Sequence, residues 1–581
     1  MNSSGRTAVT GDQGGISAVS RGKWASVLVP VAAAALVLSA CSGGGNGAGG
    51  LQTSDQLATG KNDINPHPAS DIKDGGTLQW PLDALPDNWN ENQSDGATLS
   101  GFYVVNALMP YFFKAKADNS LELDTNYLTS AEVVSTDPLV IDYKINPKAK
   151  WNNGRPITWE DVQAQATALN GKNTAYLVST TTGYENIAKV EKGADDKEAK
   201  VTFATPFGEW KSLFSPLYPK ELNSDAETFN KGWAENAPIT ASAFKVGKVD
   251  LTGKTVTEVR DPNWWGTPAH LDSIVFKVVS RPTLADALSS GAVDFYRVGS
   301  SVDLFKRGQA IPNTKMRQAL EASYNLLDFS GAPSSILHDQ DLRVAIEQGV
   351  DTKSIATGML GPILPNPTAL GNHFFMQGTK DYKDNSAPVK FDVEASKKKL
   401  DELGWKQNGQ FRAKDGKELA ITMVIDAANP ISTSLSNLVQ QQLKTIGVNT
   451  KINSVPAAEL FKNYVVPGAF DLAFYNQNLQ PQPVSTSKSA YYLDANSTQQ
   501  NYAHIGNEAI NKLLDAAAKE VDDTKRADLV QQADTEIWKS GHILPIYQVP
   551  GAYVVKNTLA NFGAPGFAQY PIDYASIGFL K

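Results

Sequence analysis

The residue types that most often carry catalysis or bind metals are scattered along this chain. Its six histidines form no HExxH motif and no pair three or four residues apart, the spacing that places two ligands on one helix face. No G-x-S-x-G sequence marks a nucleophilic serine on a sharp turn. Adjacent carboxylates such as Asp522 and Asp523 are typical of a solvated face in a chain with 20% charged residues. The sequence therefore predicts no catalytic residue, no metal site and no cofactor.

An aromatic residue followed by three amides is the clearest local candidate for ligand binding. Asp471–Tyr475 has the pattern of a strand, and Asn476, Gln477 and Asn478 follow it directly. In open α/β sheets ligands bind beyond the carboxyl ends of the strands. Amides can hydrogen-bond a peptide main chain, a sugar or another polar neutral ligand. We therefore predict that Tyr475, Asn476, Gln477 and Asn478 contact a ligand; the alternative is an amide-rich surface turn.

Cys41, the only cysteine, closes an N-terminal targeting segment. The apolar run Val27–Leu38 follows Arg21 and Lys23, which is the order of charged and apolar regions in a secretory signal peptide. As a helix this run would rise about 18 Å, well short of the ~30 Å hydrocarbon core of a membrane. Leu38-Ser39-Ala40-Cys41 resembles the lipobox of bacterial lipoproteins, in which the cysteine is acylated. We predict a signal peptide over 1–40 and a lipid anchor on Cys41 at the extracytoplasmic face of the cell membrane; the alternative is an ordinary signal peptide with an unrelated cysteine.

The segment after Cys41 has the composition of a tether. Residues 42–50 are all glycine, serine, asparagine or alanine, which is typical of flexible coil. Sequence rich in small and polar residues continues to Gly75, so a flexible tether is predicted over 41–75. A net charge of −8 argues against nucleic acid as a partner. With 41% hydrophobic residues, the rest of the chain can build two or three packed cores.

Strand-like and helix-like segments alternate after residue 75. The clearest unit is Leu419–Ile452, in which a β-rich apolar run is followed by a helical stripe and a second β-rich run. Pro430 suits the first turn of that helix and Gly447 its end. A strand–helix–strand unit of this length predicts a right-handed parallel crossover. Further strands are predicted over Gly76–Trp80, Leu139–Tyr143, Lys254–Val259 and Ser273–Val279, and further helices over Trp159–Leu169, Asp392–Leu403 and Asn507–Ala518.

Five segments, in order along the chain, resemble the signatures of a single family. Trp151–Val162 resembles F-x-D-G-x-P-[LI]-T-A-E-D-V, and Arg260–Gly266 resembles N-P-x-Y-W-G with Asp261 in place of the usual asparagine. The other three are Asp341–Asp351, Asp392–Trp405 and Leu443–Val448. Together they resemble the bacterial extracellular solute-binding proteins of the peptide/nickel class, family 5, which serve ABC importers.

The resemblance implies an α/β fold of the type II periplasmic-binding-protein class, in its large peptide-binding form. Two lobes are then joined by two hinge strands: lobe I spans 76–325 with a return segment at 546–581, and lobe II spans 326–545. The chain is expected to cross between the lobes at Ser323–Phe329 and near Ile543–Tyr547. The implied protein is a monomer that is not an enzyme and that captures a solute, a peptide foremost, for the permease subunits of an ABC importer.

The sequence departs from the family pattern where a peptide would be recognised. Peptide binders of this family place an acid three residues after an aromatic residue, against the ammonium group of the peptide. Here Tyr475 is the aromatic residue, but Asn478 stands in the position of the acid. The alternative ligand is therefore a non-peptide solute such as an oligosaccharide, a siderophore-like compound or a metal chelate. Further ligand-contact candidates are Asn88, Trp89, Asn90, Tyr103, Phe374 and Phe375.

Overall fold

The computed structural model describes residues 52–479, 481–494 and 500–581 of the chain. The predicted signal peptide, Cys41 and the glycine-rich stretch after it lie outside the described residues, and their roles stay predictions. Among the helices within these ranges, none combines the length and the apolar character needed to cross a membrane.

The strands of the described residues alternate with helices from Thr77 to the C-terminal end of the chain. In the first half they are β1 (Thr77–Leu82), β2 (Phe113–Ala115), β3 (Leu121–Leu123), β4 (Leu128–Thr136), β5 (Leu139–Ile145), β6 (Ile187–Lys192), β7 (Glu198–Phe203), β8 (Phe244–Asp250), β9 (Thr255–Arg260), β10 (Ser273–Val278) and β11 (Phe295–Arg297). In the second half they are β12 (Thr314–Phe329), β13 (Lys406–Asn408), β14 (Phe411–Lys414), β15 (Lys417–Glu418), β16 (Ala420–Asp426), β17 (Asn449–Val455), β18 (Leu472–Asn478), β19 (Ile543–Lys556), β20 (Leu559–Ala560) and β21 (Gly578–Phe579).

The helices begin at polar caps in most cases, as in α9, where Asp392 accepts a hydrogen bond from the backbone N–H of Ala395. They are α1 (Ser54–Leu57), α2 (Leu99–Asn106), α3 (Trp159–Leu169), α4 (Ala226–Lys231), α5 (Leu284–Ser289), α6 (Val302–Gln309), α7 (Gln340–Glu347), α8 (Thr352–Leu360), α9 (Val393–Glu402), α10 (Pro430–Thr445), α11 (Ala457–Glu459), α12 (Pro483–Tyr491), α13 (Glu508–Lys519) and α14 (Asp523–Ser540).

Three sheets organise the molecule. Two four-stranded sheets, in the orders β1-β10-β9-β8 and β4-β5-β7-β6, are built from the first half of the chain. A six-stranded sheet in the order β11-β19-β12-β18-β16-β17 joins the two halves. Within it, β16 and β17 run parallel and α10 lies between them in the sequence, so the predicted parallel strand–helix–strand unit is confirmed.

The buried apolar residues form separate cores. The first core includes Trp80, Tyr143 and Phe276 from the first half of the chain, and Tyr553 from near its C-terminal end also packs in it. The second and third cores are built almost entirely from residues 320–547. Because a six-stranded sheet has two faces, α7, α8 and α10 cover one of them in the second core, while α12, α13 and α14 cover the other in the third.

The two long strands β12 and β19 carry the chain from the first core to the other two. They pair antiparallel from Thr314 opposite Lys556 to Asp328 opposite Ile543. Along β12, Ala319 packs in the first core, whereas Leu320 packs in the second. The register of the pair shifts just after this point, which bends the ladder where the packing changes sides. The predicted crossing at Ser323–Phe329 therefore lies a few residues beyond the change of core.

The end of the predicted tether requires a correction. Residues from Ser54 onward pack on the folded protein: Leu57 is buried in the second core, and Ile72 is buried beside the last strand, bridging to Leu580. Asp63 pairs with Arg317 of β12 at 2.6 Å. Composition alone pointed to coil because polar residues surround these few apolar anchors. The described part of the segment is thus a strap across the fold rather than a free linker.

The first of the five family-like segments, Trp151–Val162, has a structural role. Asp161 of α3 is fully buried and accepts hydrogen bonds from both Nη atoms of Arg155, at 3.0 and 2.8 Å. It also accepts from the backbone N–H of Thr158 at 2.9 Å and from that of Lys220 at 2.9 Å. The W-N-N-G-R-P-I-T-W-E-D-V segment therefore fixes the start of α3 against the first core.

Candidate functional site

A cavity of about 950 Å³ lies between the first core and the third core. Trp210, which packs in the first core, and Lys211 form part of one wall. Phe374 and Phe375, which pack in the third core, form part of the opposite wall. The turn between β2 and β3, residues 55–59, the residues leading into α12 and part of α14 also line it. We call this space the interlobe cavity; its volume is within the range of ligand sites.

The walls of the interlobe cavity mix aromatic surface with both signs of charge. Rings from Trp210, Phe374, Phe375 and Tyr382 supply apolar contact area, and Gln377 adds an amide. A site of this kind can hold a ligand that carries an amine, a carboxylate and apolar groups together. Its charged lining residues are Lys211, Lys380, Arg526, Asp55, Asp118, Asp381 and Asp523.

The Phe374–Phe375 wall is held in place by buried polar contacts. The Asn372 side-chain oxygen accepts from the backbone N–H groups of Phe374 and Phe375, at 2.9 and 2.8 Å. Both ring nitrogens of His373 face oxygen atoms, at 2.7 Å from Asp534 Oδ1 and 2.8 Å from the carbonyl of Ile543. Because α14 carries Asp534 and β19 carries Ile543, the wall is anchored on two rigid elements. Of the predicted ligand contacts, Phe374 and Phe375 are the pair that lines this cavity.

The predicted run Tyr475–Asn478 lies inside a strand rather than after one. β18 continues to Asn478, opposite Ser323 of β12, so successive side chains point to opposite faces of the sheet. Tyr475 packs against the third core, and Gln477 lies on the same face beside Tyr324 of that core, whereas Asn476 and Asn478 are exposed on the other face. The Asn476 amide donates to the carbonyl of Tyr324 at 3.1 Å. The four residues do not form one surface, and none of them lines the interlobe cavity.

Tyr475 is hydrogen-bonded to a buried carboxyl group. Its hydroxyl donates to Asp328 Oδ2 at 2.7 Å, across the pair formed by β18 and β12. Asp328 is fully buried, and its second oxygen has no hydrogen-bond partner. Burial raises the pKa of Asp328 to about 7, although the hydrogen bond from Tyr475 acts in the opposite direction. The pair joins β12 and β18 side by side in the six-stranded sheet.

Asn88, Trp89 and Asn90 are buried, and their amides bond within the protein. The Asn88 amide donates to the carbonyl of Asn230 at 2.8 Å, and the Asn90 amide donates to that of Phe229 at 3.1 Å. Trp89 packs in the first core. These contacts tie the segment after β1 to α4, and none of the three residues lines the interlobe cavity. Their predicted contact with ligand stays a prediction.

Tyr103 lies in α2 near a charged pair formed between β11 and β12. Its ring is 5.2 Å from that of Trp80, and burial raises the pKa of its hydroxyl to about 12. Nearby, Arg297 of β11 donates to Glu321 of β12 through Nε at 2.9 Å and also through Nη2. Glu321 is buried and Arg297 is partly buried, and their pair joins strands on both sides of β19. Tyr103 too lies away from the interlobe cavity.

The sequence reasoning missed the residues that bring the two walls together. Glu209 and Arg526 are separated by more than 300 positions and meet at the edge of the interlobe cavity. No local pattern marks either residue, because their pairing depends on how the first core approaches the third. Among the described residues, no group of three or more histidine, cysteine or acidic side chains is arranged to hold a metal ion.

Comparisons with known proteins agree with this architecture. The family model "Bacterial extracellular solute-binding proteins, family 5 Middle" matches residues 122–499. Over 564 residues the chain is 35% identical to the oligopeptide-binding protein OppA of Mycobacterium tuberculosis (strain ATCC 25618 / H37Rv), covering 96% of this chain and 94% of that protein.

Solved structures share the fold. The periplasmic EDTA-binding protein EppA is 24% identical, with a TM-score of 0.82 over 91% of this chain and 100% of that chain. The oligopeptide-binding protein AppA of Bacillus subtilis, in complex with a nonapeptide, is 19% identical, with a TM-score of 0.73 over 88% and 100% of the two chains.

The fold is that of a two-lobed binding protein with long hinge strands. The chain belongs to the bacterial extracellular solute-binding proteins, family 5. It is accordingly a substrate-binding component of an ABC importer and not an enzyme.

Proposed function

We propose that this protein captures oligopeptides in the interlobe cavity and delivers them to the permease subunits of an ABC importer. The observation that carries the proposal is the lining of the cavity, where aromatic rings lie among lysine, arginine and aspartate side chains. Peptides present a charged amine, a charged carboxylate and varied side chains, and this lining offers a partner for each. The 35% identity to a protein named as an oligopeptide-binding protein, over nearly the full length of both chains, supports the same ligand class.

The proposal includes the arrangement of the chain at the membrane. Lobe I comprises 76–325 and 546–581, lobe II comprises 326–545, and acylated Cys41 tethers a monomer to the extracytoplasmic face. The separate cores on either side of β12 support the division into lobes. Replacing Cys41→Ser is expected to move the protein from the membrane fraction to the soluble fraction after osmotic lysis, and unchanged fractionation would contradict the lipid anchor.

Mass spectrometry of small molecules released from the gently purified, then denatured protein tests the ligand class. Bound short peptides, absent from a mock preparation, are the expected result. A single sugar or chelate mass from folded protein would refute the peptide proposal. It would favour instead a non-peptide solute, which is the kind of ligand named for EppA.

Calorimetric titration with one peptide in free and N-acetylated form tests how the amine is bound. Asn478 cannot neutralise an ammonium group, but Asp118, Asp381 and Asp523 line the interlobe cavity. If one of them pairs with the amine, acetylation weakens binding by at least about 30-fold, the equivalent of about 2 kcal/mol for a lost charge pair. Equal affinities would show that no acidic side chain pairs with the amine.

Lys211→Glu is expected to weaken binding of the same peptide by about tenfold, whereas Lys189→Glu, on the exposed side of β6, leaves the affinity unchanged.

A further inference from the structure

A short loop of the first core reaches into the third core at the edge of the interlobe cavity. The loop follows β7 and contains Phe207, Gly208, Glu209 and Trp210, of which the two aromatic residues pack in the first core. Gly208 and Glu209, which lie between these two aromatic residues in the sequence, are buried against α12 and the connection from α13 to α14. This contact is separate from the hinge strands β12 and β19.

Glu209 is surrounded by hydrogen-bond donors from the third core. One carboxylate oxygen accepts from the backbone N–H of Val484 at 3.0 Å. The other accepts from the backbone N–H and the hydroxyl of Ser485, both at 2.6 Å. Arg526 Nε lies 3.8 Å from the first oxygen. The side chain thus caps the first turn of α12, a nine-residue helix, with a carboxyl group supplied by the other lobe.

Gly208 is needed for the close approach of the two lobes. Its backbone N–H donates to the carbonyl of Ala518 at 2.8 Å, and its own carbonyl accepts from Arg526 Nη1 at 3.3 Å. A Cβ atom at this position would lie 1.8 Å from the carbonyl oxygen of Glu520. No larger residue fits without moving the lobes apart, because the obstructing atom belongs to the backbone.

We propose that Gly208 and Glu209 form an interlobe clasp that holds the closed form together over the interlobe cavity, including when no ligand is bound. Gly208 and Arg526 both line the cavity, so the clasp closes one of its edges. In the open form the donors of Val484 and Ser485 and the carboxylate of Glu209 face water. The clasp therefore shifts the equilibrium between open and closed forms by the difference in free energy between these contacts and hydration of the same groups. The proposal rests on the proposed function only in that the cavity encloses the ligand; it does not depend on the ligand class.

The test measures the distance between the lobes without ligand. In the full chain carrying Cys41→Ser, the changes Lys189→Cys on β6 and Lys512→Cys on α13 provide two exposed sites for spin labels, because Cys41 is the only native cysteine. Pulsed electron paramagnetic resonance then gives the populations of short and long distances between the two spin labels, which correspond to closed and open molecules. Glu209→Ala removes the acceptor, and Gly208→Ala adds the obstructing methyl group without changing any charge. Glu132→Ala, which removes an exposed acid of β4, is the matched control.

Both clasp variants are expected to lower the ratio of closed to open molecules by about tenfold or more, while Glu132→Ala keeps the ratio of the parent. Thermal unfolding of each variant confirms that the lobes are folded, since Gly208→Ala meets no obstruction once they separate. The parent distribution in either folded clasp variant would overturn the proposal, and so would equal opening by Glu132→Ala. Because no ligand is added, a failure of the peptide proposal leaves this result unaffected.

Discussion

Replacing the buried Asp328 tests whether a carboxyl group within β12 makes stability depend on pH. Asp328→Asn keeps the shape of the side chain and an oxygen that can accept from the Tyr475 hydroxyl, which lies 2.7 Å away in the native protein. It removes the group that ionises. The pKa of Asp328 is raised to about 7 from the ordinary value of 3.8, and the first cause is burial.

The sign of the effect follows from that raised pKa. Below pH 3.8 the carboxyl is neutral in both the folded and the unfolded chain, so its full contribution to stability is present. Between pH 3.8 and about 7 the unfolded chain releases the proton while the folded protein retains it, and stability falls. Above pH 7 both states are ionised and the contribution is lost. At 1.36 kcal/mol for each pH unit between the two pKa values, this one group lowers the free energy of unfolding by about 4 kcal/mol in all.

Urea unfolding at pH 5 and at pH 8, followed by tryptophan fluorescence, measures the effect as a difference between the two proteins. The native protein is expected to lose stability relative to Asp328→Asn by about 3 kcal/mol over this interval, because the pKa of the native carboxyl lies within it. Tyr475→Phe serves as a companion variant: without the hydroxyl the carboxyl loses its hydrogen bond, and the pH dependence increases. If Asp328→Asn and the native protein changed in parallel from pH 5 to pH 8, the reasoning would be refuted.

Two further predictions concern the scaffold. Asp161→Ala is expected to destabilise the protein by about 3–5 kcal/mol in urea unfolding, since Arg155 loses a fully buried partner; a loss as small as that of Glu132→Ala would contradict the structural role of this motif. Leu57→Ala is expected to release the strap: hydrogen exchange should accelerate over residues 54–75 and stay unchanged in α3, because about 2–5 kcal/mol of packing in the second core is removed. Uniform exchange across both segments would show that the strap is not a separate unit.

Local patterns predicted the elements of the scaffold closely. α3 spans the predicted residues Trp159–Leu169, and α9 lies between the predicted Asp392 cap and Gly404. Strands β5, β9, β10, β16 and β17 also fall within a few residues of their predicted positions. These features depend on side-chain periodicity and on caps, which involve neighbours no more than about four residues apart. Local sequence patterns were therefore sufficient to locate these helices and strands.

The proposed ligand site, the interlobe cavity, depends on information that no local pattern contains. The sequence pointed to Tyr475–Asn478 as a group, but in β18 their side chains alternate between two faces, and the position of the strand end decides which of them meet. Asn88 and Asn90 carry amides suited to a ligand, yet the carbonyls of α4 already accept their hydrogens. Phe374 and Phe375 were predicted from a loop context, and the structure places them on the interlobe cavity.

The sequence by itself determined the family and the alternation of strands and helices, because both are encoded in short-range order, and the targeting segment that ends at Cys41 stays a prediction. Tertiary structure alone decided that residues 54–75 form a strap, that Asp328 is buried against Tyr475, and that Glu209 caps a helix of the other lobe. Each of these contacts joins residues far apart in the chain. The physical reason is that burial and charge pairing depend on which surfaces the hinge strands bring together, and that geometry exists only once both lobes have folded.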